Sequence, residues 1–381
     1  MIFLIFILTL WNAWLLFITF SSRNSANSKN KVIKELPTCL VVIPAHNEEK
    51  SISNTLSSIK ESSKGLDIKI VVLADNCTDT TSTKVQLQNI DVFERNDDTK
   101  RGKSYALEWF IDGHKELINQ YETVCIVDAD STLSNQFFHH SLTYFKSHAC
   151  NVAQTFYTNT INDKYSISAH SLELAHHVRQ KGLEKTMGTS LLKGNGMIFK
   201  SSVLTEIGWH VHSITEDLEM SYYLLDKDIN INYIENATVY GDFSEEGASK
   251  SIQQKRWEGG RLQTVYKNIP KLMLTMLKKR SLRFLGLALD LSTPPLTMLL
   301  SLNAFMLIIS VFTLNTIYVG LVLLNITMFI SYVKHLPRKE VYLPNIKESK
   351  LLFDHVVFKL HVFLELFTKG VPKSFQRTPR S

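Results

Sequence analysis

"TVCIVDADS", residues 123–131, is the stretch on which the reading of this chain turns. Cys125, Ile126 and Val127 read as the end of a buried strand. Side chains of a strand alternate with period two, so Asp128 and Asp130 are expected on one side of it. Two like charges held close repel and resist joint ionisation. The usual reason for such a pair is a divalent cation, and the rest of the chain has to say what the cation is for.

The same pattern recurs upstream. "CLVVIPAHNEE" (39–49) is a continuous apolar strand that ends at Pro44 in a polar loop, and "SISNTLSSIK" (51–60) opens a helix with Ser51 as its cap. "IKIVVLADNCTDTT" (68–81) is a second buried strand with a polar end, followed by a helix to Gln88 and a short strand, "IDVFER" (90–95). Residues 102–117 are helical, with Ala106, Phe110 and Leu117 on one stripe. Strands alternating with helices argue for an α/β fold with a mostly parallel sheet covered on both faces. In such sheets ligands sit beyond the carboxyl ends of the strands. The polar ends "AHNEE", "DNCTD" and "DADS" would then line one rim. Downstream, 151–160 and 231–240 read as strands and 191–204 as a strand interrupted by Gly194 and Gly196. Residues 166–186, 213–227 and 251–264 read as helices. With no repeats and no low-complexity linker, the soluble part reads as one domain.

The chain has 381 residues, enough for one large domain or two modest ones, and 44% hydrophobic against 20% charged residues excludes a disordered chain. Residues 2–20 carry no charge and match the ~20 helical residues that span a bilayer core. A signal peptide competes for this run, but no Lys or Arg precedes it and it exceeds the roughly 7–15 residues of a signal's apolar core. A second apolar block, from Phe284 to Val333, divides near 313–316 into spans over 292–312 and 316–333. Pro294 and Pro295 break the helix where the first of these begins, and Asp290 is expected at the membrane interface. Residues 350–370 are apolar but carry Asp354, His355, Lys359, His361 and Glu365. A helix lying in the interface fits that mixture better than a span.

Lys and Arg near the spans set orientation. Arg23, Lys29, Lys31 and Lys34 follow the first span. Lys278, Lys279, Arg280 and Arg283 precede the second, and Lys334, Arg338 and Lys339 follow the third. Three crossings put all three clusters on one side, which makes residues 35–283 and the tail cytoplasmic. These flanks, with anionic lipid headgroups, account for the net charge of +6, so no nucleic-acid partner is needed. Cys39, Cys77, Cys125 and Cys150 lack zinc or CxxC spacing and read as reduced core thiols.

In order, "VVIPAHNEE", "VVLADNCTDTT", "RGKSYAL", "IVDADS", "KGNGMIF", "ITEDLEM" and "QQKRWEGGR" resemble the motifs of membrane-bound family-2 glycosyltransferases. A lone DxD arises often by chance; DxD, then TED, then Q-x-x-R-W in this order is a specific signal. The resemblance covers residues 38–265 and is strongest to synthases of cellulose, hyaluronan, chitin oligosaccharides and poly-N-acetylglucosamine. It implies a Rossmann-like GT-A domain at 36–265 between an anchor at 1–21 and an interfacial linker at 266–283. Two membrane helices at 284–334 and a cytoplasmic tail with an interfacial helix at 335–381 would follow. It further implies an integral protein of the bacterial plasma membrane, an inverting transfer from a nucleotide sugar (a UDP-sugar) to a growing saccharide or lipid-linked acceptor, and polysaccharide-export partners.

The family's roles carry over residue by residue. Asp128 and Asp130 match the acids that hold Mg2+ or Mn2+ against the donor diphosphate, where a cation offsets the charge gained by the leaving group. Glu48 and Asp75 match contacts to the ribose and base, His46 stands where an aromatic neighbour of the base is common, and Lys103 matches a basic residue reaching the nucleotide. Asp217 matches the base that takes the acceptor's proton, while Glu216, about 100° away on a helix, is expected to point elsewhere. Arg256 would pair with the diphosphate, Gln253 and Trp257 would meet the acceptor, and Gly194 and Gly196 would let backbone approach a sugar. His139–His140 and His176–His177 lack an accompanying carboxylate motif, while His210 and His212, before the TED helix, leave one further metal contact open. Two departures stand out: Asn76 takes the place of the family's second acid after Asp75, and three spans are few for a polymer channel. A single-addition enzyme on a polyprenyl phosphate, or an inactive scaffold of a polysaccharide assembly, are the rival readings.

Overall fold

The computed structural model describes residues 1–23, 35–159, 171–241, 247–334 and 346–370. Lys29, Lys31, Lys34, Arg338 and Lys339 of the basic flanks, the start of the helix expected at 166–186 and the 371–381 end of the tail lie outside them. The chain divides into two compact units. One comprises Asn27–Thr160 and Thr189–Phe243; the other comprises Met1–Ala26, Ile161–Gly188 and Ser244–Ser381.

The N-terminal helix α1 (Ile2–Arg23) opens the second of these units. The sheet unit then runs β1 (Cys39–Ala45), α2 (Ile52–Ser62), β2 (Ile68–Asp75), α3 (Thr81–Gln86), β3 (Asp91–Arg95), α4 (Lys103–Gly113) and a short α5 (Lys115–Ile118). It continues through β4 (Thr123–Ile126), β5 (Ser131–Leu133), α6 (Phe137–Ser147) and β6 (Val152–Asn159). After α7 (Arg179–Met187), which belongs to the other unit, come β7 (Met197–Lys200), α8 (Ser201–Ile207), α9 (Glu216–Asp226) and β8 (Ile231–Gly241). The chain ends in α10 (Gly247–Lys279), α11 (Arg283–Ser292), α12 (Leu296–Phe312), α13 (Thr316–Val333) and α14 (Ile346–Lys369).

Eight strands form one sheet in the order β3-β2-β1-β4-β7-β6-β8-β5. The pairings β3–β2, β2–β1, β1–β4 and β6–β8 are parallel, while β7 runs against both its neighbours and β5 runs against β8. The sheet is thus mixed, as expected of a GT-A fold with a parallel half. Alternation explains its two cores. Cys39, Val41 and Ile43 face Leu56 of α2 and Phe138 of α6, while Leu40 and Val42 face Phe110 of α4, Leu204 of α8 and Leu224 of α9. Each such buried apolar side chain contributes about 1.5–3 kcal/mol. Because β1 has β2 on one side and β4 on the other, the strand order reverses there, and the carboxyl ends open a crevice at that point.

Local departures have physical causes. Ser51 does stand before α2, but it makes no capping bond; its hydroxyl donates to Glu48 Oε2 (2.9 Å). The helix from 103 breaks at His114, whose ring stacks on Phe110, so Ile118 rather than Leu117 is buried. Residues 191–204 form only the short β7 and then α8. Cys39, Cys125 and Cys150 are core thiols, and burial pushes Cys39 up to about 12. Cys77 is instead half-buried in the loop after β2, receiving the Asn47 N–H.

In the helical unit, α1 and α13 are long and apolar enough to cross a membrane. The α11–α12 pair passes the same test as one broken span, bent by 79°. The bend falls at Pro294 and Pro295, and Arg261 of α10 donates to the Leu291 (3.2 Å) and Thr293 carbonyls that the break exposes. Asp290 is buried within the helical unit: Arg179 of α7 and the Trp14 indole of α1 converge on its carboxylate. At Gly182 a Cβ would stand 2.4 Å from the Ile18 carbonyl oxygen, so α7 and α1 cross at a position that takes no side chain. Two charges of α14 are met by α10: Lys359 Nζ lies 2.6 Å from Glu258 Oε1 and also bonds Gln254, and Glu365 pairs with Lys255.

Candidate active site

β4 ends at Ile126, so Asp128 and Asp130 lie past the strand in a turn closed by the Ser131 N–H donating to the Asp128 carbonyl (3.3 Å). The turn, not the pleat, sets their relation, contrary to the period-two expectation. Buried Asn195 fixes that turn. Its Oδ1 accepts from the Asp128 N–H (3.1 Å) and its Nδ2 donates to Ser131 Oγ (2.7 Å). Gln154 of β6 holds the other side of the same loop, donating to the Asn195 carbonyl (2.7 Å) and accepting from the Lys193 N–H (2.7 Å). From α2, Thr55 donates to the Ala129 carbonyl (2.8 Å). Neither Asn195 nor Gln154 was singled out from sequence; the one signal was an asparagine between Gly194 and Gly196.

Lys103, the first residue of α4, reaches this turn. Its Nζ lies 2.5 Å from Asp128 Oδ1 and also donates to the Gly194 carbonyl. Gly194, at φ +80°, passes beneath Asp217 at the head of α9, where a Cβ would stand 3.7 Å from Asp217 Oδ2. Lys103, Asp128, Gly194 and Asp217 therefore converge. Gly196 does not join them. It lies just before β7, where a Cβ would stand 2.1 Å from Thr155 Oγ1, so the sheet itself requires the missing side chain.

The electrostatics of the cluster are lopsided. Burial works against the Lys103 ammonium, but Asp128, Glu216 and Asp217 more than offset it and raise its pKa. Burial and the Asp217 charge push Glu216 up to about 7 against the pull of Lys103, and burial raises Asp217 as well. Glu216 thus shares the field of this cluster rather than standing apart from it. A carboxylate with a raised pKa is a better proton acceptor, which suits Asp217 to general-base work. The half-buried Asp128 and Asp130 carboxylates, on a turn braced from three elements, form an oxygen-only donor set of the hard kind that Mg2+ or Mn2+ takes.

The neighbouring loops form the rim. The exposed His46 donates from Nδ1 to the Asp75 carbonyl (2.7 Å). Glu48 is half-buried beside it, its N–H bonded to Thr81 Oγ1 (2.8 Å). Asp75 lies beneath the rim, 3% exposed: Oδ1 meets Arg95 (2.5 Å) and Asn76 (3.0 Å), and Oδ2 accepts the Gly102 N–H (3.3 Å). Any contact it makes to a base shares a carboxylate that already anchors these loops. Asn76 has a structural reason: at φ +51° its amide both accepts from the Asp97 N–H (2.8 Å) and donates to the Asp97 carbonyl (3.2 Å), which a carboxylate does not do.

Gln253, Arg256 and Trp257 lie on α10, in the other unit, with Gln253 buried and the other two half-buried. Among the histidines, His140 bonds the Asn236 carbonyl (2.9 Å), and His176 and His177 lie in the π turn before α7. His210 and His212 both face Glu108 of α4.

Residues 37–260 match the family model described as glycosyltransferase like family 2. Among curated proteins, the chain is 28% identical over 233 residues to a poly-beta-1,6-N-acetyl-D-glucosamine synthase of Staphylococcus epidermidis (58% of this chain, 53% of that one). It is 26% identical over 250 residues to a beta-monoglucosyldiacylglycerol synthase of Nostoc sp. (59% and 49%). The chain spans about half the length of these relatives. A solved mannosyltransferase of Pyrobaculum calidifontis, in complex with GDP-Man and Mn2+, shares the fold at a TM-score of 0.57 and 13% identity, covering 96% of this chain and 99% of its own.

Proposed function

This chain belongs to glycosyltransferase family 2, and from that premise we propose that it is a membrane-bound, inverting enzyme. It moves a sugar from a nucleotide donor, a UDP-sugar, to a growing saccharide or a lipid-linked acceptor. The observation that carries this is the convergence of Lys103, Asp128 and Asp217 around Gly194 at the carboxyl end of the sheet. Inverting transfer is one in-line displacement: the acceptor hydroxyl attacks the anomeric carbon, the bond to the diphosphate breaks, and a base takes the hydroxyl proton. Asp217 Oδ2 takes that proton. Lys103 sits where it can hold donor phosphate oxygens once Asp128 is otherwise engaged. A divalent cation between Asp128, Asp130 and the diphosphate would offset the charge gained by the leaving group.

His46, Glu48 and Asp75 form the nucleoside side of this reading, and Arg256, Gln253 and Trp257 keep the motif-based roles of diphosphate and acceptor contacts. A catalytic face turned to the cytoplasm, with α14 in the interface and export partners beyond, completes it. The two relatives are named for different products, a polysaccharide in one and a glucosylated diacylglycerol in the other, so saccharide and lipid both belong in the test. The full chain, purified in detergent, is assayed against a panel of nucleotide sugars with each acceptor class. Acceptor-dependent release of nucleoside diphosphate that chelator abolishes is expected. Absence of transfer from every donor, with a folded protein, would favour the scaffold reading.

A further inference from the structure

A second cluster of metal-ligating groups stands on the outer side of α4. In "GWHVH" (208–212) burial alternates: Trp209 and Val211 enter the core, and His210 and His212 are exposed. Period-two alternation in an extended segment puts both imidazoles on one side. On α4, Glu108 and Asp112 are one turn apart and so share a face. The two sets meet. His210 Nδ1 lies 3.1 Å from Glu108 Oε1, and His212 Nε2 lies 3.0 Å from Glu108 Oε2. Ligand atoms of Glu108, Asp112 and His210 all lie within 4.8 Å of one another.

Both rings are held in place by groups outside the cluster. Tyr105 stacks on His212 with centroids 4.2 Å apart. His210 folds back over Gly208, where a Cβ would stand 2.3 Å from its Nε2, leaving Nδ1 turned to Glu108. A tetrahedral zinc site with bonds of ~2.0–2.1 Å spaces its donors at roughly 3.3 Å. The two imidazole–Glu108 spacings need to open by only a few tenths of an ångström once the shared protons leave, and Asp112, whose ligand atom lies within 4.8 Å of those of Glu108 and His210, draws in.

We propose that Glu108, Asp112, His210 and His212 form a binding site for a transition-metal cation of the Zn2+ class, separate from Asp128 and Asp130. Two imidazoles with two carboxylates favour Zn2+, Co2+ or Ni2+ over Mg2+ or Mn2+, whereas the oxygen-only pair lacks that nitrogen preference and suits Mg2+ or Mn2+. Binding displaces the protons held between each imidazole and Glu108, so the site fills less readily in acid. The cation ties the segment that leads into α9, and so to Asp217, onto the helix that begins with Lys103. Metal binding itself does not depend on the glycosyl-transfer reading.

The test is equilibrium dialysis of the detergent-purified full chain, without nucleotide, against Zn2+ alone and Co2+ alone. One Zn2+ per chain, and the visible absorption of four-coordinate Co2+, are expected. His210→Gln, which keeps a hydrogen-bonding partner for Glu108 but no imidazole, should weaken binding about 10-fold or more, as should His212→Ala. Asp112→Asn, at an exposed position, gives the same readout if a histidine variant fails to fold. Asp130→Ala should leave the Zn2+ in place. The proposal is overturned by an absence of stoichiometric binding, by binding that His210→Gln and Asp112→Asn both retain, or by loss of the Zn2+ in Asp130→Ala. Loss of glycosyl transfer in Asp130→Ala with Zn2+ retained separates the two sites.

Discussion

Each unit holds a cluster of charge, centred on buried Asp290 in one and half-buried in the other, and the two clusters are built on opposite rules. In the helical unit Arg179 meets Asp290 with matched charges: NH2 and Nε lie 2.8 and 3.1 Å from Oδ1, NH2 also reaches the Asp290 carbonyl (2.9 Å), and the Trp14 indole adds a fourth contact. In the sheet unit three carboxylates, Asp128, Glu216 and Asp217, share Lys103, with Lys193 acting as well on Asp217. Matched, hydrogen-bonded charge holds α1, α7 and α11 together. Unmatched charge repels itself, and burial magnifies the repulsion. A fold tolerates that where function needs it, and an excess of carboxylate is what a cation and a proton-accepting base both require.

Breaking the matched pair should have the largest effect on stability. Arg179→Ala leaves Asp290 buried without its cation, a loss of about 3–5 kcal/mol. Denaturation in detergent measures it. Arg179→Met with Asp290→Leu should recover most of that loss, because removing both charges removes the desolvation problem. A double variant as unstable as the single one would show that the pair does more than neutralise itself.

In the unmatched cluster the same kind of change should spare the fold and cost activity. Asp217→Asn keeps shape and removes the proton acceptor, so donor binding should persist while transfer falls roughly 100-fold or more. Isothermal titration with donor and a single-turnover assay separate the two effects. A native rate in this variant would move the base elsewhere, with Glu216 the next group to test.

Glu216→Gln sharpens the contrast, because it should stabilise. The native carboxyl has a pKa raised from 4.5 to about 7, so the fold prefers it protonated. Its favourable contribution is therefore full below 4.5 and is lost as pH rises through about 7. The glutamine cannot ionise, so the variant should match the native protein in acid and exceed it by roughly 1–3 kcal/mol above neutrality. Melting temperatures from pH 4 to 9 test the sign; parallel curves would mean that Glu216 does not carry the repulsion.

What sequence could reveal of all this follows from how local each cause is. The sheet was legible because alternation at Cys39, Leu40, Val41 and Val42 writes two covered faces directly into the strand. The acids after β4 were legible as a pair, yet their geometry was not, because the strand stops at Ile126 and a turn takes over. Asn195 and Gln154 are not legible, since their partners lie about 40 to 67 residues away, and one polar residue in a loop or within a buried strand carries no periodic signal. The packing requirement at Gly196 is hidden for the same reason: Thr155 and Val239, which exclude a side chain there, come from strands distant in the chain.

Arg95 and the acids around it supply the mildest test, inside the unit that also holds the lopsided cluster: one guanidinium meets both Asp75 and, at 2.9 Å, Asp97. Arg95 is 6% exposed and its NH1 lies 2.5 Å from Asp75 Oδ1. Asn76 sits alongside, donating to Asp75 Oδ1 (3.0 Å) and bridging both backbone groups of Asp97. Asn76→Asp supplies the second acid that the resemblance leads one to expect and sets a third carboxylate beside one guanidinium. Backbone strain should not change, since Asp tolerates the left-handed region as Asn does. The variant keeps the bond from the Asp97 N–H, loses both amide donations, and sets a second negative charge against Asp75. The cost at pH 8 should be about 1–2 kcal/mol, the size of one or two lost donors and a like-charge contact. Because the new carboxyl resists ionisation, the fold favours its protonated form, which can again donate to Asp97 or Asp75. The penalty should therefore fade as pH falls toward 4. Denaturant midpoints at pH 4 and pH 8, native against variant, give the answer. A penalty equal at both pH values would assign the loss to the missing amide donors alone, and charge matching would then explain Arg179 and Asp290 but not Arg95 and its acids.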